Sequence, residues 1–275
     1  MDMNEQPNNY LLEEMNAIQV RDKITEKTIA ILVLGACENH GNHMPFGSDF
    51  IFPMKLFEKA VDEISKNDNS ASPQSKNNLI LLPAIPYGVS SHHNDFQMTM
   101  SLEPSTMISI IENIFSSLVK NGIKKILVIN GHDGNISPIE IASRKIKNKE
   151  PNVVIACLES WWALVGQKNK DLFEVWNGLG HGGEAETSAM LSVRPDLVNT
   201  EYSSDQVIPN LPNEDIRIYW KFNELTNTGI TGAPKKASVE KGQEIIRILT
   251  NVIISFINNM ENNDWKYGLS LSKTG

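Results

Sequence analysis

TIAILVLGACENHGNHMPFGSD, residues 28–49, fixes both the architecture and the place of the chemistry. Residues 28–37 are apolar with no polar alternation, the pattern of a strand in a sheet covered on both faces. The run ends in Glu38-Asn39-His40, with His43 and Asp49 close behind. Glu-x-His at a strand end, followed by Asp49, can aim three ligands at one point. Carboxylate with imidazole suits zinc, manganese or iron, not calcium and not a thiolate-bound metal.

Outward from that stretch, Ser48 or Asp49 is placed to cap a helix running to about residue 65, despite Pro53 early in it. Residues 66–77 read as a polar surface loop. A second strand is expected over 79–85, with Pro83 and Pro86 marking its exit. Pro104 opens a helix that ends at Gly122. Residues 125–129 form a third strand, NGHDGN (130–135) a tight polar loop, 136–149 a helix and 153–158 a fourth strand. Before the first strand, 1–9 read as frayed and 10–24 as loosely helical; 237–260 is a long terminal helix. Strand and helix alternate, so the fold is α/β, three-layer αβα with a mainly parallel sheet. Right-handed crossovers put every strand's C-terminal end on one edge, where open α/β sheets bind ligands. Residues 37–38, 87–93, 130–135 and 159–162 therefore converge. No internal repeat or linker stands out, and 1–275 reads as one domain.

Of the 275 residues 40% are hydrophobic, enough for a sizeable core. The formal charge of −8 speaks against nucleic acid or an anionic membrane as partner. No apolar stretch approaches the roughly 18–20 residues of a membrane helix, and MDMNEQPNNY is unlike a signal peptide. Two cysteines, Cys37 and Cys157, fit a reduced, cytoplasmic setting.

There are six histidines: His40, His43, His92, His93, His132 and His181, all in or beside loops at that one edge. Clustering sets them apart from solvated loop histidines. His132 sits in NGHDGN, where the glycines let backbone approach closely. His181-Gly-Gly-Glu184-Ala-Glu186 looks like a loop entering a helix. Glu184 and Glu186 fit a helix N-terminus as carboxylates. The functional reading makes His181 a proton shuttle and Glu184 a metal ligand with a part in catalysis. His43 is expected outside the metal shell. Asp133 is either solvated or a substrate contact. Trp161 and Trp162 end the fourth strand, one packing in the core and one walling a pocket.

ENHGNHMPFGSD, YGVSSHH, NGHDGN, HGGEAETSAML and GITGAPKKAS with EKG resemble, in order, the motifs of the creatininase (creatinine amidohydrolase) family. The resemblance spans roughly residues 28–245. It implies a mainly parallel α/β fold, a site for two divalent metal ions per subunit (zinc, manganese or iron) and a homohexamer built as a trimer of dimers. It implies cleavage of C–N amide bonds in small molecules. Carried over, Glu38 and His132 hold one metal and His40 the other, with Asp49 bridging. His181 matches the acid–base histidine, and Ser90 and His93 match positions lining the pocket. Two departures stand out. The namesake enzyme has a ligand glutamate two residues after the NGH histidine, where this chain has Gly134. It also has Trp-Asp where Asn177 and Gly178 stand. The expectation is that Glu184 replaces the missing ligand, and the two departures count against creatinine as the substrate without naming another.

The ligand set implies a water made acidic between two cations as nucleophile on the amide carbon, with His181 giving a proton to the leaving nitrogen. Two other readings use the same residues: a carbohydrate enzyme acting on an oxidised inositol, or a non-catalytic metal binder. The irregular segment 203–235 is expected to reach a neighbouring subunit's pocket.

Overall fold

In the computed structural model, residues 10–66, 78–208 and 218–270 are described. The frayed start expected over 1–9 and all but the first residue of the 66–77 loop lie outside them. Asn16 begins the first helix, α1 (Ala17–Lys23), through a capping box with Gln19. This cap starts the helix afresh, so 10–24 is not one helix. Only a short 3-10 turn, Leu12–Glu14, precedes it.

β1 (Ile29–Leu34) leads into α2 (Ser48–Lys66), which returns to β2 (Leu79–Leu81). α3 (Pro104–Lys120) carries the chain to β3 (Lys125–Asn130), and α4 (Ile136–Lys149) to β4 (Val154–Leu158). β2 is shorter than the 79–85 expected. Pro83 has no N–H to give, and beyond it only single contacts such as Ile85 N–H to the Val33 carbonyl continue the pairing. α5 (Trp161–Lys168), α6 (Glu184–Val193) and α7 (Val239–Asn262) complete the helices. Trp161 and Trp162 thus begin a helix instead of ending a strand.

The four strands are all parallel, in the order β2-β1-β3-β4. β1 alternates between two cores. Ile29, Ile31 and Val33 pack with α2, α6 and α7, while Ala30, Leu32 and Leu34 pack with α3 and α4. Because both faces are covered, the strand has no polar side, which is why its sequence shows no alternation. From β1 the chain passes to β2 on one side, whereas β3 lies on the other. The crevice between the C-terminal ends of β1 and β3 is therefore the topological switch point of the sheet. Among the described residues no helix is long and apolar enough to cross a membrane.

Candidate active site

Two loops meet at the switch point. β1 ends at Leu34 and delivers Glu38 and His40; β3 ends at Asn130 and delivers His132. Asp49 comes from the first turn of α2. Pro53 cannot donate to the Asp49 carbonyl, and that carbonyl packs against Gly131, where a Cβ would lie only 1.7 Å from it. Glycine at 131 is what lets α2 start directly over the crevice. Gly131→Ala is expected to push Asp49 aside and lower metal content sharply, as read by elemental analysis; unchanged content would show that the α2–β3 approach does not set the site.

Glu38, His40, Asp49 and His132 are all buried, at 0%, 0%, 5% and 4% exposure. His132 Nε2 donates to the Val89 carbonyl at 2.9 Å, leaving Nδ1 facing Glu38 Oε1 and Asp49 Oδ2, each at 3.2 Å. His40 Nδ1 donates to the Glu38 carbonyl at 3.1 Å, leaving Nε2 3.0 Å from Asp49 Oδ1. His181 Nε2 donates to the Asn39 carbonyl at 2.6 Å, leaving Nδ1 3.4 Å from Glu38 Oε1. Each ring has one nitrogen tied to a backbone carbonyl and the other turned to carboxylates. That tie fixes tautomer and orientation in metal-ligating histidines. The two oxygens of Asp49 face different imidazoles, as a bridging carboxylate requires.

The donor set fits a divalent cation. Both Glu38 carboxylate oxygens and Asp49 Oδ2 are buried without an aligned hydrogen bond, which is costly for an anionic oxygen unless a cation faces it. Burial alone would raise the Glu38 carboxyl pKa, but His132, His93 and His181 hold it well below the usual range. Burial would lower His40, yet the Asp49 carboxylate drives it up to about 10. His132 is likewise raised against its burial, by Glu38 and Asp49. Burial and the nearby His40 lower His181 to about 4, so it is neutral at neutral pH. Among the described residues three overlapping groups could hold an ion: Glu38 with His40 and Asp49, His40 with His181 and Glu186, and Glu38 with His93 and His181.

The expectation for Glu184 is corrected. Its carboxylate accepts the backbone N–H groups of Glu174 and Val175 and pairs with Lys241 Nζ, on the α7 side of α6. It lies outside all three ion-capable groups, and it fastens the loop before His181. Glu184→Ala should therefore leave metal content unchanged and cost roughly 1–3 kcal/mol of stability, since it removes the acceptor for the Glu174 and Val175 N–H groups while Lys241 keeps Glu174 and the Lys236 carbonyl; a thermal melt with metal analysis checks both. Glu186 takes the place beside the cluster. Its Oε2 accepts the Gly182 N–H at 2.6 Å and lies 3.9 Å from His40 Nε2. Burial first, with Asp49 and Glu38 adding, pushes its pKa up to about 7.

Ser90 is also corrected. It is fully buried and its Oγ is 3.2 Å from His132 Nε2, so it stands behind the histidine and not on the pocket wall. His93 is 2% exposed and packs between Phe222 and His181, with ring centroids 3.9 and 4.3 Å away. It backs His181 and does not line the cavity. His43 bonds Thr187 Oγ1 at 2.9 Å and stays apart from the cluster. Trp161 packs in the core against Phe52, whereas Trp162 and Asp133 line the cavity.

That cavity, about 230 Å³, opens over Glu38, Asp49, His132 and His181. Trp220, Phe222 and Leu179 complete its apolar wall. Sequence reading missed Trp220 and Phe222. They come from the irregular 203–235 segment, whose described part closes over this chain's own pocket; residues 209–217 lie outside the description. No periodicity marks them, and their aromaticity in a polar stretch was the one available signal.

A family model described as creatinine amidohydrolase matches residues 13–257. The chain belongs to the creatininase family. The creatinine amidohydrolase of Pseudomonas putida is 25% identical over 244 residues, covering 83% of this chain and 88% of its own. A mycofactocin precursor peptide peptidase of Mycobacterium ulcerans is 21% identical, covering 82% and 83%. A 3-dehydro-scyllo-inosose hydrolase of Thermotoga maritima is 24% identical, covering 73% and 61%. A solved manganese creatininase superposes with a TM-score of 0.74 at 24% identity, over 91% of this chain and 98% of that one. A variant of Zn-Zn type gives the same TM-score. This creatininase-family chain is thus an enzyme of the hydrolase class, with a creatininase fold and a cluster able to bind metal.

Proposed function

We propose that the chain is a two-ion amidohydrolase that cleaves the C–N bond of a small cyclic or linear amide. The observation that carries this reading is the shared tie of His40, His132 and His181 to backbone carbonyls, which turns three free nitrogens toward Glu38 and Asp49. Glu38 and His132 would hold one ion and His40 the other, with Asp49 placed to serve both. The ions, when bound, supply an acidified water and a Lewis acid for the carbonyl oxygen. His181 is neutral at the start, its Nε2 proton engaged by the Asn39 carbonyl, so Nδ1 takes up the proton that the attacking water gives up. The same atom then returns it to the leaving nitrogen, which would otherwise depart as a poor amide anion. Trp162 and Asp133 contact the substrate, and the aromatic wall keeps bulk water from the reacting bond. The enzyme works in the cytoplasm as a single-domain subunit of a homohexamer, a trimer of dimers.

A panel of creatinine, N-formyl amines, hydantoins, short peptides and keto-inositols, with ammonia, amine and acid release followed, tests the reaction. Amine or ammonia release from any amide is the expected result. Turnover confined to the keto-inositols would replace the amide reading with the polyol one, to which the Thermotoga maritima relative's name points.

A further inference from the structure

Position 134 is closed to any side chain. A Cβ there would meet the Val89 carbonyl oxygen at 1.9 Å and His132 Nε2 at 2.7 Å. Val89 is itself held by Asn135, whose Oδ1 accepts the Val89 N–H at 3.1 Å, and its carbonyl accepts from His132. Admitting a carboxylate at 134 would mean dismantling the contact that orients His132. The loop that aims one ligand therefore forbids a second from the same strand.

The His40 side of the cluster nevertheless has a carboxylate in place. We infer that Glu186, delivered by the first turn of α6, is the second-ion ligand that replaces a side chain at position 134. This rests on the two-ion reading above. One ligand atom each from Glu186, His40 and His181 lie within 4.8 Å of one another. Metal–donor distances of roughly 2.0–2.2 Å space tetrahedral donors about 3.4 Å apart. The Asp49–His40 and Glu186–His40 separations, 3.0 and 3.9 Å, lie on either side of that value. Glu186 is mostly buried, at 14% exposure. A hydrogen bond from the Gly182 N–H fixes Oε2 beside the imidazole. Glu184, two residues earlier, is fully engaged by Lys241 and two backbone N–H groups. α6 thus divides its two acids: one locks the helix to α7, the other faces the metals.

Metal-free protein is titrated with Zn²⁺ in competition with a chromophoric chelator, and the bound ions are counted by elemental analysis. Wild type should bind two. Glu186→Gln, which can still accept from Gly182, should keep its far-ultraviolet circular dichroism and one tight ion. Its second ion should weaken at least about 100-fold, beyond the roughly 10- to 100-fold cost of losing an outer-sphere partner. Glu186→Asp, a methylene shorter, should also lose the second ion while keeping the charge. Glu184→Gln should keep both. Two tight ions in both Glu186 variants would overturn the assignment. Loss of the second ion in Glu184→Gln but not in Glu186→Gln would return the role to Glu184. Fewer than two ions in wild type would instead overturn the two-ion reading on which this rests.

Discussion

Asp49→Ala should empty the site of both ions at once. Its two carboxylate oxygens face His40 and His132 separately, at 3.0 and 3.2 Å, so one substitution removes a donor from each position. Removal of an ordinary ligand would weaken one ion only. Elemental analysis after gel filtration is expected to show a fall from about two ions per chain to well under one, and hydrolysis should drop by more than the roughly 10²–10³-fold typical of losing one transition-state donor. Asp49→Asn, of nearly equal size, should behave alike, which separates loss of charge from loss of packing at this buried position. Retention of one tight ion in both variants would mean that Asp49 serves a single ion and that the bridge does not exist.

The second large effect is expected at His181. His181→Ala should keep the metal content of wild type and lose about 10²–10⁴ in kcat, the usual contribution of a positioned proton-transfer group. The metal should stay because His40 and His132 are each oriented by a backbone carbonyl and not by His181, and Asp49 faces both of those imidazoles. Turnover should fall because His181 lines the cavity with its Nδ1 turned to Glu38, whereas His93 lies behind it and has its pKa driven down by burial first and His181 next. A variant that binds no metal and melts early would make His181 a structural residue.

Much of this site was legible in the sequence because its parts lie at the ends of strands. An unbroken apolar run such as 28–37 can be a strand buried on both faces, and the residue just past it must stand at the sheet edge. Glu38, His40 and His132 followed from that alone. Asp49 required only the reading of a helix start. The limits appear where direction, not position, matters. Glu184 and Glu186 both stand in the first turn of one helix. At 3.6 residues per turn they point roughly 200° apart, and a sequence cannot say which side faces the histidine–carboxylate cluster. Packing of α6 against α7, with Lys241 waiting on one side, makes that choice. Trp161 and Trp162 pose the same problem, adjacent on α5 with one in the core and one in the pocket.

The sequence by itself determined the alternating α/β order, the parallel sheet and the single edge on which the histidines gather, because hydrophobic burial and chain connectivity act through local pattern. The tertiary structure decided that Glu186 and not Glu184 stands beside the cluster, that Ser90 and His93 stand behind His132 and His181 without lining the pocket, and that Trp220 and Phe222 wall it. Those outcomes depend on close contacts between residues far apart in the chain, such as Val89 against Gly134, and no local pattern records a contact that only packing brings into being.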